Sequence, residues 1–206
     1  QLLIDNQVDF LKAYEMLSEQ QFHELMRLAK EEGLLVTGHI PLSMNLFSAV
    51  EAGLNGIEHL RNFEMSIATN SQELLKERLS ILENPDSLSG AELRSSLHAK
   101  QRMDAIQMID SMLLSRAAEL LAQNSVWQTP TLALYNNFAT REFLQENQMA
   151  ELTKLPMELA EQWRATMEPM RSIAIDSNAD IAVYSRWMKE MVQYLHTNNV
   201  PFMAGT

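Results

Sequence analysis

The chain has 206 residues, 46% of them hydrophobic, which is enough apolar material for one substantial core. Its net charge of −11 argues against a general nucleic-acid-binding surface, which needs clustered lysine and arginine. The chain has no cysteine, which excludes disulfides and thiolate ligands, and no apolar run long enough to cross a membrane. A metal ion would therefore need histidine, carboxylate or modified lysine ligands.

The first predicted elements are a short strand and an amphipathic helix. Residues 8–14 form an apolar run with Lys12 in its interior, an unusual residue for a buried strand. Ser18 predicts the N-cap of a helix whose inward-facing residues, among them Phe22 and Met26, continue towards Gly33.

Two histidines close the next two predicted strands. His39 ends the run 34–39 and His59 ends the run 56–59, with a helical pattern between them that stops at Gly53. One histidine beside a strand is more often a packed core residue than a ligand. Two at equivalent positions of successive strand–helix units should converge at the carboxyl edge of a parallel sheet, as part of a site for zinc or a related divalent metal.

Glu58 is expected to lie outside this metal site. It precedes His59 on the predicted strand, where successive side chains point to opposite faces.

The rest of the chain predicts mainly helices. Helical patterns cover four segments, residues 71–83, 91–124 (one long helix or two joined ones), 148–167 and 179–197. Two further strands are predicted near Trp127 and near Phe202. His23, His98 and His196 fall within helices, where we expect surface or structural roles.

The order of the elements predicts the fold class. Five predicted strands, each separated from the next by at least one helix, indicate an α/β protein with a parallel sheet or barrel and right-handed crossovers. No flexible linker of low complexity divides the chain, so we expect one domain.

Five segments carry a resemblance to a known family. They are Asp-Phe-Leu-Lys-Ala-Tyr at residues 9–14, Val-Thr-Gly-His-Ile-Pro at 36–41, Ala-Gly-Leu-Asn-Gly-Ile-Glu-His-Leu at 52–60, Thr-Pro-Thr-Leu at 129–132 and Val-Pro-Phe-Met-Ala-Gly-Thr at 200–206. Together they resemble the amidohydrolase superfamily, specifically its imidazolonepropionase-like branch, which includes prolidase-like dipeptidases. The resemblance spans essentially the whole chain and is weakest over residues 61–125, which we interpret as an enlarged helical connection.

The resemblance implies a fold and a metal site. Residues 1–206 would be the carboxyl-side part of a single (β/α)8 TIM barrel, with the five strands resembling its fourth to eighth. Such enzymes hold one or two divalent metal ions, and here we expect zinc, with His39 and His59 as the fifth- and sixth-strand ligands. Lys12 resembles the fourth-strand lysine that is carboxylated and bridges two metals; the other reading is a plain lysine that reaches out of the barrel mouth.

The resemblance also implies substrate contacts. Tyr14 and Arg61 occupy positions where they could bind substrate, although a buried aromatic residue and an ordinary surface arginine are equally compatible with the sequence.

The implied activity is hydrolysis of an amide or other C–N bond, in a cyclic amide or a dipeptide, by a metal-activated water. The family's His-x-His pair is absent, and its final-strand aspartate is expected just after Thr206. We therefore expect a fragment that is inactive alone, associates as a homo-oligomer, and comes from a soluble cytoplasmic or periplasmic protein. The alternatives are a noncatalytic α/β fragment or binding module, and a different TIM-barrel enzyme with histidines as acid and base.

Overall fold

The computed structural model describes residues 2–85, 88–172 and 179–205. These residues form two compact units. The first unit is the described part of Gln1–Pro130 together with Glu190–Gly205, and the second is the described part of Thr131–Lys189.

A four-stranded parallel sheet forms the centre of the first unit. The strands are β1 (Phe10–Ala13), β2 (Leu35–Gly38), β3 (Gly56–Glu58) and β4 (Trp127–Thr129). They lie side by side in chain order, β1-β2-β3-β4, and every pairing is parallel. All four carboxyl ends therefore meet at one edge of the sheet, as the sequence predicts.

Helices make up most of the remaining described structure. In chain order they are α1 (Leu2–Asp5), α2 (Glu19–Glu31), α3 (Leu46–Glu51), α4 (Phe63–Ser66), α5 (Ser71–Glu83), α6 (Gly90–Gln107), α7 (Ser111–Gln123), α8 (Leu132–Thr140), α9 (Glu146–Glu151), α10 (Met157–Ser172) and α11 (Ala179–Thr197). Single 3-10 turns occur at Glu142–Leu144 and Leu152–Lys154. Among the described residues no helix is long and apolar enough to span a membrane.

The two faces of the sheet differ in burial. One face carries fully buried side chains, among them Leu11, Val36 and Ile57. On the opposite face Phe10 and Leu35 are paired in register and are 55% and 60% exposed. Residues on alternate sides of each strand thus meet different surroundings.

Local sequence explains where α2 and α7 begin. Ser18 accepts a hydrogen bond from the Gln21 backbone N–H, and the Gln21 side chain bonds back to the Ser18 N–H, so the predicted N-cap is confirmed as a capping box. Asp110 is the N-cap of α7, and its side chain accepts hydrogen bonds from the Met112 and Leu113 N–H groups. The helical pattern of residues 91–124 is therefore two helices.

Four helices, α4 to α7, occupy the chain between β3 and β4. Two small apolar clusters lie among α4, α5 and α6, one with Met65, Leu74 and Ala105 and the other with Leu42, Leu93 and Leu97. The second cluster contains Leu42, which follows β2 by four residues, so α5 and α6 pack on the loop that carries His39.

The second unit has its own small core. Leu152, Ala160 and Met167 are buried together, with Phe143 and Met149 packed against them. Tyr184 stacks on Trp187 with ring centroids 5.4 Å apart on α11.

The fifth predicted strand is not a strand over its described residues. Phe202 makes an isolated parallel bridge to Gln128, with Gln128 N–H donating to the Pro201 carbonyl and Met203 N–H donating to the Gln128 carbonyl. Pro201 has no N–H of its own, which limits pairing on this segment. Thr206, after which the resemblance implies an aspartate, lies outside the described residues.

The structure therefore has a helix-rich α/β fold with a four-stranded parallel sheet. Closure of such a sheet into a (β/α)8 barrel stays a prediction.

Candidate metal centre

His39 leaves β2 at the carboxyl edge of the sheet. Its backbone N–H donates to the Ala13 carbonyl at 3.1 Å and extends the β1–β2 ladder by one bond. Its side chain is 3% exposed, and neither ring nitrogen has a hydrogen-bond partner. Because a buried imidazole normally bonds through at least one nitrogen, this ring has a nitrogen available to bind a metal ion.

The neighbouring strand delivers His59 to the same place. The His59 N–H donates to the Thr129 carbonyl on β4, and the His59 ring centre lies 5.3 Å from that of His39. Burial, together with the neighbouring His39 and Arg61, lowers the pKa of His59 to about 4. The imidazole is thus neutral near pH 7, which is the form that binds metals.

The backbone after β3 is in an uncommon conformation. His59, Leu60 and Asn62 all have positive φ, at 59°, 49° and 61°. Non-glycine residues rarely adopt this left-handed region. Clusters of them occur at functional sites, where the surrounding structure stabilises the strained backbone. Because of this turn, the His59 side chain does not follow the alternating side-chain directions of β3.

That turn brings Glu58 beside His59, so the expectation that their side chains point to opposite faces is wrong. Glu58 is on the same face of the sheet as Lys12, and its Oε2 lies 2.5 Å from Lys12 Nζ and 3.7 Å from His59 Nε2. His39, Glu58 and His59 each offer a donor atom within 4.8 Å of the others. Opposite-face alternation holds only inside a strand, and β3 ends at Glu58.

Lys12 lies at this edge as the sequence predicts, paired with Glu58 across the intervening β2. Thr37 stands in register with Lys12 on one side and with Gly56 on the other. The small threonine lets the lysine reach Glu58 over the sheet surface. The Lys12 side chain is 47% exposed.

Tyr14 and Arg61 both lie next to the histidines. The Tyr14 ring centre is 4.8 Å from that of His39, the side chain is half exposed, and its hydroxyl accepts a hydrogen bond from Arg94. Arg61 is half-buried with its Nε lacking a hydrogen-bond partner, and its charge acts on His59 and on Glu15.

Sequence reasoning missed the buried groups behind His39. Glu15 follows β1 by two residues and is fully buried, and His98 of α6 is buried and bonded to it at 2.9 Å. A carboxylate three residues after Lys12 was a signal for Glu15. His98 had no comparable signal, because it comes from a distant helix.

Asn62 ties the two histidine loops together. Its side-chain amide donates to the carbonyl of Ile40, the residue after His39, at 2.6 Å. Its Oδ1 accepts from Arg78 at 3.0 Å, and Arg78 in turn donates to Gln101. Since all of these groups are buried, the network fixes the loop after β3 against the loop after β2.

The donor set fits a divalent metal ion. Two imidazoles and a carboxylate are a common ligand set for zinc, and here they converge at the carboxyl edge of parallel strands. The nitrogens of His39 supply an independent observation, because neither makes a hydrogen bond although the ring is buried.

Comparisons with known proteins give a fold relationship. No protein-family model matches the chain, and no curated protein matches it. Among solved structures, bottromycin amidohydrolase superimposes on 99% of this chain with a TM-score of 0.62 and 19% sequence identity. The likeness establishes a shared fold. The chain corresponds to 38% of the length of that protein.

Proposed function

We propose that the intact protein is a metal-dependent hydrolase of an amide or other C–N bond. The main observation in support is the buried His39 ring, which has no hydrogen-bond partner and lies beside His59 and Glu58. Support also comes from the fold shared with a protein named as an amidohydrolase. Both agree with the resemblance of the histidine motifs to the amidohydrolase superfamily and to its imidazolonepropionase-like branch.

His39 and His59 would hold the metal ion, with Glu58 as a further oxygen donor. Zinc suits this set, and a bound divalent ion supplies an acidified water and polarises a carbonyl. Nearby residues hold the ligands in the protonation state and orientation that bind a metal ion. His59 is neutral in its half-buried position, and the strained turn at His59 and Leu60 holds the ring towards His39.

Lys12 would act in one of two ways. As an ammonium ion it neutralises Glu58 and restrains that carboxylate. As a carboxylated lysine it would be an anion and would repel Glu58, while offering oxygen to a second metal ion. If Lys12 is carboxylated, a second metal should bind only when bicarbonate is supplied, and the Lys12→Arg variant should lose that second ion alone.

Tyr14 and Arg61 are proposed to contact substrate. The half-exposed Tyr14 ring beside His39 could pack on a cyclic amide or the side chain of a dipeptide. Arg61 offers a positive charge next to His59, which suits a substrate carboxylate.

The test is metal content of the full-length protein, measured by elemental analysis for wild type and for His39→Ala and His59→Ala. The control is His23→Ala, an exposed histidine of α2 whose ionic neighbour is Glu19. We expect metal in wild type and in the control, and loss in the two site variants. Metal-free wild type after zinc supplementation, or equal metal in all four proteins, would contradict the proposal and favour a noncatalytic binding module.

Chelation distinguishes the proposed metal-dependent hydrolase from an enzyme that uses its histidines as general acid and base. Removal of metal should abolish amide hydrolysis, and zinc should restore it. Activity that survives chelation would point to His39 and His59 as a general acid–base pair.

A further inference from the structure

Glu15 is fully buried, and its carboxylate lies beside the Nδ1 atom of the His39 ring. Its Oε2 lies 3.7 Å from His39 Nδ1 and 3.5 Å from Arg94 Nε, and its Oε1 lies 2.9 Å from His98 Nε2. The carboxylate and all three basic groups converge within the first unit. Neither Oε2 nor His39 Nδ1 has a hydrogen-bond partner.

A buried charge of this kind needs compensation. Moving a carboxylate out of water carries a large free-energy penalty unless nearby partners compensate its charge. Three basic side chains face the two oxygens of Glu15, which favours its carboxylate form.

Helix α6 supplies the compensation. His98 and Arg94 lie one turn apart on α6, and both reach Glu15. Arg94 also donates to the Tyr14 hydroxyl at 2.7 Å, which fixes the residue before Glu15. The carboxylate is thus held from the helix side and presents Oε2 to His39.

A carboxylate beside one nitrogen of a metal-ligating imidazole normally selects its tautomer. The proton stays on the nitrogen that faces the carboxylate, so the lone pair is on the other nitrogen.

We propose that Glu15 is a positioning residue for His39, holding the Nδ1 side of the ring so that Nε2 is presented as the metal donor, and that α6 holds Glu15 through His98 and Arg94. This inference rests on the proposed metal site. Its consequence is that the helical connection between β3 and β4 takes part in building the metal site.

The matched pair of variants is Glu15→Gln and Glu64→Gln. Glu64 is also fully buried and is paired with an α6 arginine, Arg102, at 3.2 Å; its charge acts on His98 through space, but no hydrogen bond or ion pair joins it to Glu15 or His39. Both changes keep side-chain volume and remove one buried charge. General destabilisation therefore affects both variants, whereas loss of His39 positioning affects one.

The first readout is the histidine ring ¹⁵N spectrum of the metal-free full-length protein. The His39 signals are assigned by their loss in His39→Ala. We expect wild type and Glu64→Gln to show His39 protonated on Nδ1, and Glu15→Gln to show a mixture of tautomers. An unchanged His39 signal in Glu15→Gln overturns the proposal.

The second readout is titration with Co²⁺, followed by its visible absorption. We expect Glu15→Gln to bind Co²⁺ about 10–100-fold more weakly with shifted absorption bands, which is the usual effect of losing such a partner. Glu64→Gln should stay within about 2-fold of wild type. Equal affinities and spectra for both variants overturn the proposal.

If Glu15→Gln does not fold, His98→Gln replaces it. That variant keeps the Glu15 carboxylate but removes its 2.9 Å partner, and it should also weaken Co²⁺ binding more than Glu64→Gln does. Failure of the proposed metal site would give a different result. His39→Ala would then bind Co²⁺ as wild type does, while the ¹⁵N spectra would still report whether Glu15 selects the His39 tautomer.

Discussion

At the scale of single residues, Gly38 sets the spacing on which His39 depends. It has φ of +131°, and a Cβ at this position would lie 2.1 Å from the Ala13 carbonyl oxygen. That same carbonyl accepts the His39 N–H. A side chain on Gly38 would therefore push β1 and β2 apart at the point where the metal site begins.

We expect Gly38→Ala to lower the free energy of unfolding by roughly 3 kcal/mol, because it adds both backbone strain and a backbone clash. Gly33→Ala is the control, since Gly33 has φ of +67° with nothing within 4 Å of the added Cβ. Strain alone should cost the control about 1 kcal/mol. Chemical denaturation measures both, and equal losses would contradict the role given to close strand approach.

Acid should destabilise the metal-free protein in two steps with the same sign. Burial lowers the pKa of His98, so below its ordinary value of 6.5 the unfolded chain takes up a proton that the folded chain refuses. The pKa of Glu15 is also lowered in the folded state, so below 4.5 the unfolded chain takes up another. Stability contributed by each group is present above its unfolded pKa and lost below it.

The measurement is the free energy of unfolding from about pH 7 to about pH 4. We expect a steady decline, with a smaller decline in His98→Gln; a residual slope remains because the pKa of His59 is lowered as well. A flat profile in wild type would contradict the burial of these groups.

Sequence position was enough to bring His39 and His59 together, because parallel strands share one carboxyl edge. It was not enough for Glu58, because the left-handed turn at His59 ends the alternation of side chains. It also failed for His98, whose contact with Glu15 spans 83 residues of chain. Local pattern contains no information on a pairing of that separation.

At the scale of elements, the Asn62 side chain links the two histidine loops by hydrogen bonds. Asn62 bonds to the Ile40 carbonyl and to Arg78, and its own backbone has φ of +61°, which asparagine tolerates better than most residues.

We expect Asn62→Ala to cost about 2–4 kcal/mol, because it leaves the buried Arg78 and the Ile40 carbonyl without their partner. Asn124→Ala is the control; its side chain makes one exposed bond to the Leu120 carbonyl, and its loss should cost about 0.5 kcal/mol. Thermal unfolding gives both values. We also expect Asn62→Ala to weaken metal binding, and a destabilised variant with wild-type metal affinity would show that the clamp does not reach the site.

Element boundaries follow the sequence where capping and periodicity are local. The pattern at residues 71–83 and 179–197 matches α5 and α11, and Ser18 marks the start of α2. The helical pattern at 41–53 shortens to α3 at Leu46–Glu51, because Asn45 caps it by accepting from Ser48 N–H. Such a cap depends on the course of the preceding loop, which the sequence does not specify.

At the scale of the whole molecule, one face of the sheet in the first unit carries exposed apolar side chains. Phe10, Leu35 and Trp127 lie on that face and are between 44% and 60% exposed. A row of exposed apolar side chains on a parallel sheet is unusual, since both faces of such sheets are normally covered.

The expected homo-oligomer stays a prediction, and this face makes it testable. We expect the 206-residue chain to associate as its concentration rises, and Leu35→Lys to reduce that association, as measured by sedimentation velocity. Met112→Lys, at a 77% exposed position on α7, is the control and should leave the association unchanged. Association that is identical in all three proteins would place the contact elsewhere.

The link between Glu15 and α6 also sets an order of events during folding. The first three strands lie within residues 10–58 and can pair as soon as they leave the ribosome, but the His98 partner of Glu15 is 83 residues further along. Until α6 arrives, closing the edge around Glu15 would bury an uncompensated anion. We therefore expect Glu15 to stay accessible to water in early folding intermediates, with docking of α6 as a late step.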